Sequence, residues 1–543
     1  MIILAAIVFV MGQDSTAAAP ALGRDDLRAA ARIAALEFTD AELAQMEKEV
    51  MELAGGYRAL FPIALENGLD PAFTFSPLLP GMRVDAAVLE LAPVALPDVE
   101  RPKDLDELAF ADVATLAALV RARRVSCVEL ARSTIARLRR LDEKLHAVVN
   151  FTEERALAQA AALDRELADG RWRGLLHGIP WGAKDLFSLA GTPTTWGSRL
   201  YEEQRIDADA TVVKRLDSAG AVLVCKTSLG EFAYGDLWHG GRTRTPWNVE
   251  KGSSGSSAGS ASLVAAGGLP FALGTETLGS IVSPCTACGA TGIRPSFGRV
   301  PRPGGMNLSW TMDKVGPIAR SVLDASIVLE AIAGPDGSDP AVRYMPFHAR
   351  DAEAAYVKGW RVGYLASAFE RAKEDAHVLD ELKALGVELV PIELPDGVPV
   401  AELLVILTAE AATAFDELTR DGRDDQMVWQ EPQAWPNTFR AARLIPAVEY
   451  LRAQRLRTRV MRELDTRLCD LRAFVHPSFG GPSLVMENLA GLPAIVLPSS
   501  APSKAGAPRS ITFTGRVDRE EELVRLADLW QRATGFHRAH PKL

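Results

Sequence analysis

Cysteine is sparse in this 543-residue chain: five residues, at 127, 225, 285, 288 and 469, are too scattered for a disulfide framework. Only Cys285-x-x-Cys288 is closely spaced. With no second ligand pair at finger-like spacing, it predicts two small buried side chains and no metal site. Basic charge is short as well. Sixty Lys and Arg against 70 Asp and Glu give a net charge of -10, which leaves no global positive field for a phosphate backbone and excludes nucleic acid as a primary partner. The apolar run Ile2 to Met11 has only ten residues, against the ~20 a helix needs to cross a bilayer, so no stable membrane span is expected. What is present is ample core material: 48% hydrophobic residues and 24% charged describe a globular chain without disordered or collagen-like bias.

The same apolar run, followed by Ser15-Thr16-Ala17-Ala18-Ala19-Pro20, suits the core and cleavage region of a secretory signal, although no Lys or Arg precedes it. Residues 1–20 are therefore read as a signal peptide and the protein as exported, periplasmic or secreted; a mis-assigned start would make it cytoplasmic. Residues 21–105 read as a helical extension with a Pro-rich connector. Leu27, Ala30, Ile33 and Leu36, then Leu43, Met46, Val50 and Leu53, recur at helical spacing up to Gly55-Gly56, and Pro71 to Pro102 reads as extended chain. That amphipathic region could pack on its own domain or on a second copy of the chain, giving a homodimer.

From 106 to 543 short apolar runs such as AVLVCK (221–226) and LPFALG (269–274) alternate with helical patterns, one of them opened by the capping box Ser126-x-x-Glu129. The alternation predicts one large α/β/α layered domain, with a central mixed β-sheet covered by helices.

Three segments place polar groups where core strands should end. In HGIPWGAKDLF (177–187), Lys184 follows an apolar strand in a chain where lysine is scarce beside arginine; if buried, its amine loses its proton more easily and becomes a usable base. In KGSSGSSAGSASLVAAGG (251–268), a Gly/Ser loop runs into an apolar helix. It lacks the G-x-x-x-x-G-K-[ST] pattern of a phosphate-binding loop. In LGTETLGSIVSPCTACGATGIRPSFGRV (273–300), glycines flank Ser280 on a turn leaving a strand, which offers a nucleophile beside free backbone N–H groups. No G-x-S-x-G elbow frames Ser280, so a base other than histidine is expected.

These segments resemble the amidase signature family. GIPWGAK, GSSAGSA and GTETLGSI reproduce its three motifs, and GATGIRPSFGRV, DKVGPIARSVLDA and NLAGLPAIVLP are similar to it further along. The resemblance implies a Ser-Ser-Lys triad with Ser280 as nucleophile, Ser256 as proton shuttle and Lys184 as base. It also implies a cis peptide bond at Ser256, an oxyanion hole from the amides of Thr277, Leu278 and Gly279, no metal or organic cofactor, and an amide, small or peptide-borne, as substrate. The chain carries two Ser-Ser pairs, Ser253-Ser254 and Ser256-Ser257, and it is the family's spacing that selects the second.

Leu278 stands where many members have glycine, and Val282 where many have arginine. The form GTETxGSIVxP is similar to the branch containing bacterial peptide amidases and, lacking that cation, implies a neutral or apolar substrate. Two alternatives stand beside this hydrolase: the amidase subunit of a glutamyl-tRNA amidotransferase, which must bind glutamine with its free carboxylate, and a non-catalytic amidase-like binding protein. Trp181, Trp196, Tyr234 and Trp238, with Trp247, are candidates for an aromatic substrate pocket.

Overall fold

The computed structural model describes residues 23–82, 92–351, 353–479, 481–502 and 506–543, so residues 1–20, expected from sequence to be a signal peptide, lie outside the described residues. The chain divides into two compact units, Met1–Glu66 and Asn67–Leu543. The first contains helices Arg24–Ile33 and Asp40–Leu60, the second opened by a capping box in which Glu42 N–H donates to Thr39 Oγ1 at 3.3 Å and Thr39 N–H to the Glu42 carboxylate at 2.7 Å. Gly55-Gly56 does not end this helix as the sequence suggests. Each glycine lowers helix propensity by about 1 kcal/mol but keeps its N–H and C=O, so the ladder continues to Leu60.

The division between the two units falls at 66, within the stretch 21–105 read from sequence as extension and connector. The described residues that follow Glu66, 67 to 82, belong to the larger unit. Asn67 and Asn307 exchange hydrogen bonds of 2.8 and 3.0 Å, and Phe75 meets Phe297 edge-on at 5.1 Å with the Arg457 guanidinium over its ring at 3.5 Å.

The larger unit is built on an eleven-stranded mixed sheet. Across it the strands run Val148–Phe151, Val222–Thr227, Pro180–Lys184, Phe271–Glu276, Lys314–Ala319, Thr291–Arg294, Ala494–Pro498, Ser510–Gly515, Ala473–Pro477, Arg361–Leu365 and Glu388–Ile392. Central strands such as Val222–Thr227 and Pro180–Lys184 are buried along their whole length, which is why they read as continuous apolar runs. Helices cover the sheet, among them Cys127–Leu145, which starts at the predicted capping box (Glu129 N–H to Ser126 Oγ, 3.1 Å), and Glu520–Thr534. One arrangement matters most for chemistry. Pro180–Lys184 lies parallel to both Val222–Thr227 and Phe271–Glu276, so Lys184 and Glu276 emerge at the same edge of the sheet, the carboxyl ends where α/β folds place their sites.

Candidate active site

Lys184 is the last residue of its strand and is completely buried. Its Nζ lies 2.8 Å from Ser256 Oγ, 2.8 Å from Thr275 Oγ1 and 3.1 Å from Ser257 Oγ. Burial drives its pKa down to about 7, with Asp313 and then Glu276 opposing the fall. At neutral pH a large fraction of the amine is therefore uncharged, with two N–H donors and one lone pair. Ser257 Oγ already accepts from Thr275 N–H at 3.1 Å and donates to Thr275 C=O at 3.2 Å, so towards Lys184 it can only accept. The arrangement that satisfies every group gives the two amine hydrogens to Ser257 and Thr275 and leaves the lone pair facing Ser256 O–H.

The two serine pairs are told apart by their partners. Ser254 N–H donates to Asp236 at 3.0 Å and Ser254 Oγ bonds Ser283 Oγ, whereas Ser256 and Ser257 reach Lys184. The Gly255–Ser256 peptide is cis, as the resemblance implies. Gly255 admits no side chain: a Cβ there would lie 1.8 Å from Gly235 O. The pair then leads into helix Ala258–Ala265, and Ser257 N–H donates to Ser280 C=O at 3.2 Å, which ties the two serine segments together.

Ser280 stands on the turn between strand Phe271–Glu276 and helix Val282–Cys288. Gly279 adopts φ +87° there, a conformation suited to glycine. Among the described residues, no hydrogen bond engages Ser280 Oγ or the amides of Leu278, Gly279 and Ser280. The turn is braced from beneath: Ile281 and Val282 N–H donate to Glu276 Oε2 at 2.8 and 2.9 Å, and Thr277 Oγ1 donates to Asp313. A hydroxyl free to attack, unpaired amides beside it and a neutral amine linked to a neighbouring hydroxyl form the set that acyl transfer requires.

Comparison with known proteins agrees with this chemistry. The profile of the Amidase family matches residues 129–484. The chain belongs to the amidase family. It is an amide-hydrolysing enzyme with the amidase signature fold. The A subunit of the glutamyl-tRNA(Gln) amidotransferase of Anaeromyxobacter dehalogenans (strain 2CP-C) is 34% identical over 475 residues, covering 78% of this chain and 96% of that protein. Native peptide amidase from Stenotrophomonas maltophilia superposes with a TM-score of 0.71 at 31% identity, covering 80% of this chain and 98% of that one. An amidase family protein from Bacillus anthracis gives a TM-score of 0.72 at 26% identity, over 81% and 93%. The likeness to the peptide amidase supports the branch indicated by GTETLGSIVSP.

In this amidase the five aromatics expected to line a substrate pocket have different surroundings. Trp181 is fully buried and stacks on Phe271 with ring centres 6.0 Å apart, because strand alternation sends residues 181 and 184 to opposite faces. Trp196 packs against Tyr201 (4.8 Å) and Phe415 (6.1 Å), Trp238 covers Gly240 and meets His239 edge-on at 4.9 Å, and Trp247 donates to Cys288 C=O at 2.6 Å. Tyr234 alone of the five is substantially open, at 37% exposure, and its ring contacts Trp429 (5.2 Å) and Trp435 (5.1 Å), which sequence proximity could not reveal. Sequence reasoning also missed Ser257, Thr275 and Glu276. All three sit inside quoted motifs, so the signal was there without its meaning. The five cysteines are free, Cys285 and Cys288 are buried in a helix, and no cluster of metal-ligating side chains occurs among the described residues.

Proposed function

We propose that this enzyme hydrolyses neutral carboxylic amides through an acyl-enzyme on Ser280, with Ser256 relaying protons to and from Lys184. The observation that carries the reading is the fully buried Lys184 amine within 2.8 Å of Ser256 Oγ at the edge where Ser280 turns. Neutral Lys184 accepts the Ser256 proton as Ser256 takes that of Ser280, and Ser280 Oγ bonds to the amide carbon. The resulting oxyanion faces the amides of the turn, which we assign to Thr277, Leu278 and Gly279 with Ser280; each well-placed donor contributes about 3 to 4 kcal/mol. The relay then returns a proton to the departing amine, and water, deprotonated along the same path, releases the acid.

Neutral selectivity rests on the walls of the turn. Position 282 is a buried valine, and Leu278 lies beside Gly279, over which Leu484 and Phe479 close: a Cβ on Gly279 would meet them at 3.1 and 4.0 Å. Near the loop that packs on Gly255, Tyr234, Trp429 and Trp435 present an aromatic face, and Val428 N–H holds their segment to Glu231 at 2.8 Å. A panel of aryl, alkyl and peptide-terminal amides, each with and without a free carboxylate near the scissile bond, should show kcat/KM at least about tenfold higher for the neutral members, the equivalent of ~1.4 kcal/mol. Preference for the carboxylate-bearing members would overturn the selectivity.

A second reading follows from the 34% identity to the amidotransferase component. On that reading the chain is a glutaminase that works with partner subunits. Glutamine hydrolysis that rises on adding such subunits, with neutral amides left untouched, would establish it in place of the first. Export remains our proposal from the Ile2 to Met11 segment, and a homodimer through the helical extension stands on the same footing.

A further inference from the structure

The free amides beside Ser280 raise the question of what keeps the turn open. A chain leaving a strand and entering a helix has several N–H groups without intrahelical partners, and a carboxylate close by will collect whichever it can reach. Here the carboxylate is Glu276, the last residue of the strand, completely buried. Its Oε2 takes the two amides after the serine, Ile281 at 2.8 Å and Val282 at 2.9 Å. Its Oε1 accepts from Arg294 Nη1 at 2.7 Å and Asn488 Nδ2 at 3.0 Å, so both oxygens are saturated. Arg294, equally buried, spans to Glu487 at 2.8 Å, and Glu487 meets His476 Nε2 at 2.8 Å. The carboxylate is therefore fixed by residues from three other parts of the chain.

We propose that Glu276 is a positioning residue for the reaction: by holding the amides of Ile281 and Val282, it turns Ser280 outward and leaves the preceding amides free for the oxyanion. This rests on Ser280 as the nucleophile. Glu276 touches no substrate in this role. A second consequence separates it from a merely structural brace. Lys184 is faced by two carboxylates, Asp313 and Glu276, which both raise its proton affinity against burial. Glu276 is in turn faced by Arg294 from the strand two over, by Lys314 opposite it in the antiparallel register, and beyond Arg294 by Glu487. Burial would push the Glu276 pKa up, yet the Arg294 charge and hydrogen bond hold it below the usual range, so it stays ionised wherever the enzyme works.

The test is Glu276→Gln in the full-length enzyme, monitored by melting, by kcat and KM on a neutral amide, by the rate of fluorophosphonate labelling at Ser280, and by the pH profile. We expect kcat and labelling to fall together by about a hundredfold, the loss typical of one misplaced oxyanion donor, with KM little changed. The acid limb of kcat/KM should also move to lower pH, because removing a nearby negative charge makes Lys184 easier to deprotonate. Labelling within threefold of wild type overturns the proposal, as does a large loss with the limb unmoved. If Glu276→Gln does not fold, the same readings are taken on Asn488→Ala, which removes one donor to Oε1 and keeps the ion pair; slowed labelling at unchanged KM supports the proposal, and wild-type labelling overturns it. A wild-type enzyme that is active but unlabelled at Ser280 refutes the nucleophile instead, so the two failures are distinct.

Discussion

Ser280→Ala is expected to remove amide hydrolysis almost completely, lowering kcat by on the order of a million-fold while the melting temperature stays close to that of the native enzyme. Loss of the nucleophile leaves only the oxyanion donors and the binding surface, and neither supplies a new bond to the carbonyl carbon. Ser280 Oγ makes no hydrogen bond among the described residues, so no packing partner is orphaned by the change. Steady-state rates on a neutral aryl amide, with the melting curve alongside, check both halves of the expectation. A variant retaining a tenth of the native rate would mean that another group forms the acyl-enzyme.

Lys184→Met is expected to be nearly as damaging, on the order of ten-thousand-fold in kcat/KM, the upper range for a positioned general base. Methionine keeps the apolar stem but supplies no proton acceptor to Ser256. The pH profile carries the sharper information. Because the active form of Lys184 is neutral and its pKa lies at about 7, native kcat/KM should fall tenfold per pH unit well below 7 and level off above it. The sign follows from burial, which favours the uncharged amine; a carboxylate base in the same place would produce its limb nearer pH 4. The Lys184→Met variant should show no limb near 7 in whatever rate remains, and a persisting limb at that pH would assign the titration to some other group.

The central mixed sheet and its covering helices were legible because the relevant signals are local. Ser126 and Glu129 mark a helix start within four residues, and the run before Thr227 is apolar because its strand is buried on both faces. Lys184 and Ser280 could be singled out for a similar reason: each polar group interrupts an apolar or glycine-rich stretch where a strand should end. Pairing was not legible. Glu276 and Arg294 are 18 residues apart, and Arg294 and Glu487 are 193 apart, so their union depends on which strands become neighbours. The choice between the two serine pairs needed the resemblance as well, because nothing within GSSGSS distinguishes them until Asp236 and Ser283 take up Ser254. The surroundings of the aromatics were illegible for a related reason: residues crowded in sequence between 181 and 247 sit on separate strands and loops, and the ring partners of Tyr234, Trp429 and Trp435, come from far along the chain.

The site of covalent capture tests Ser280 as the nucleophile most directly. Native enzyme treated with a fluorophosphonate, digested and read by mass spectrometry should carry one adduct per chain, on the peptide containing Ser280, with amide hydrolysis lost in proportion to occupancy and no adduct in Ser280→Ala. An adduct on another residue, or full hydrolysis with Ser280 occupied, would contradict it.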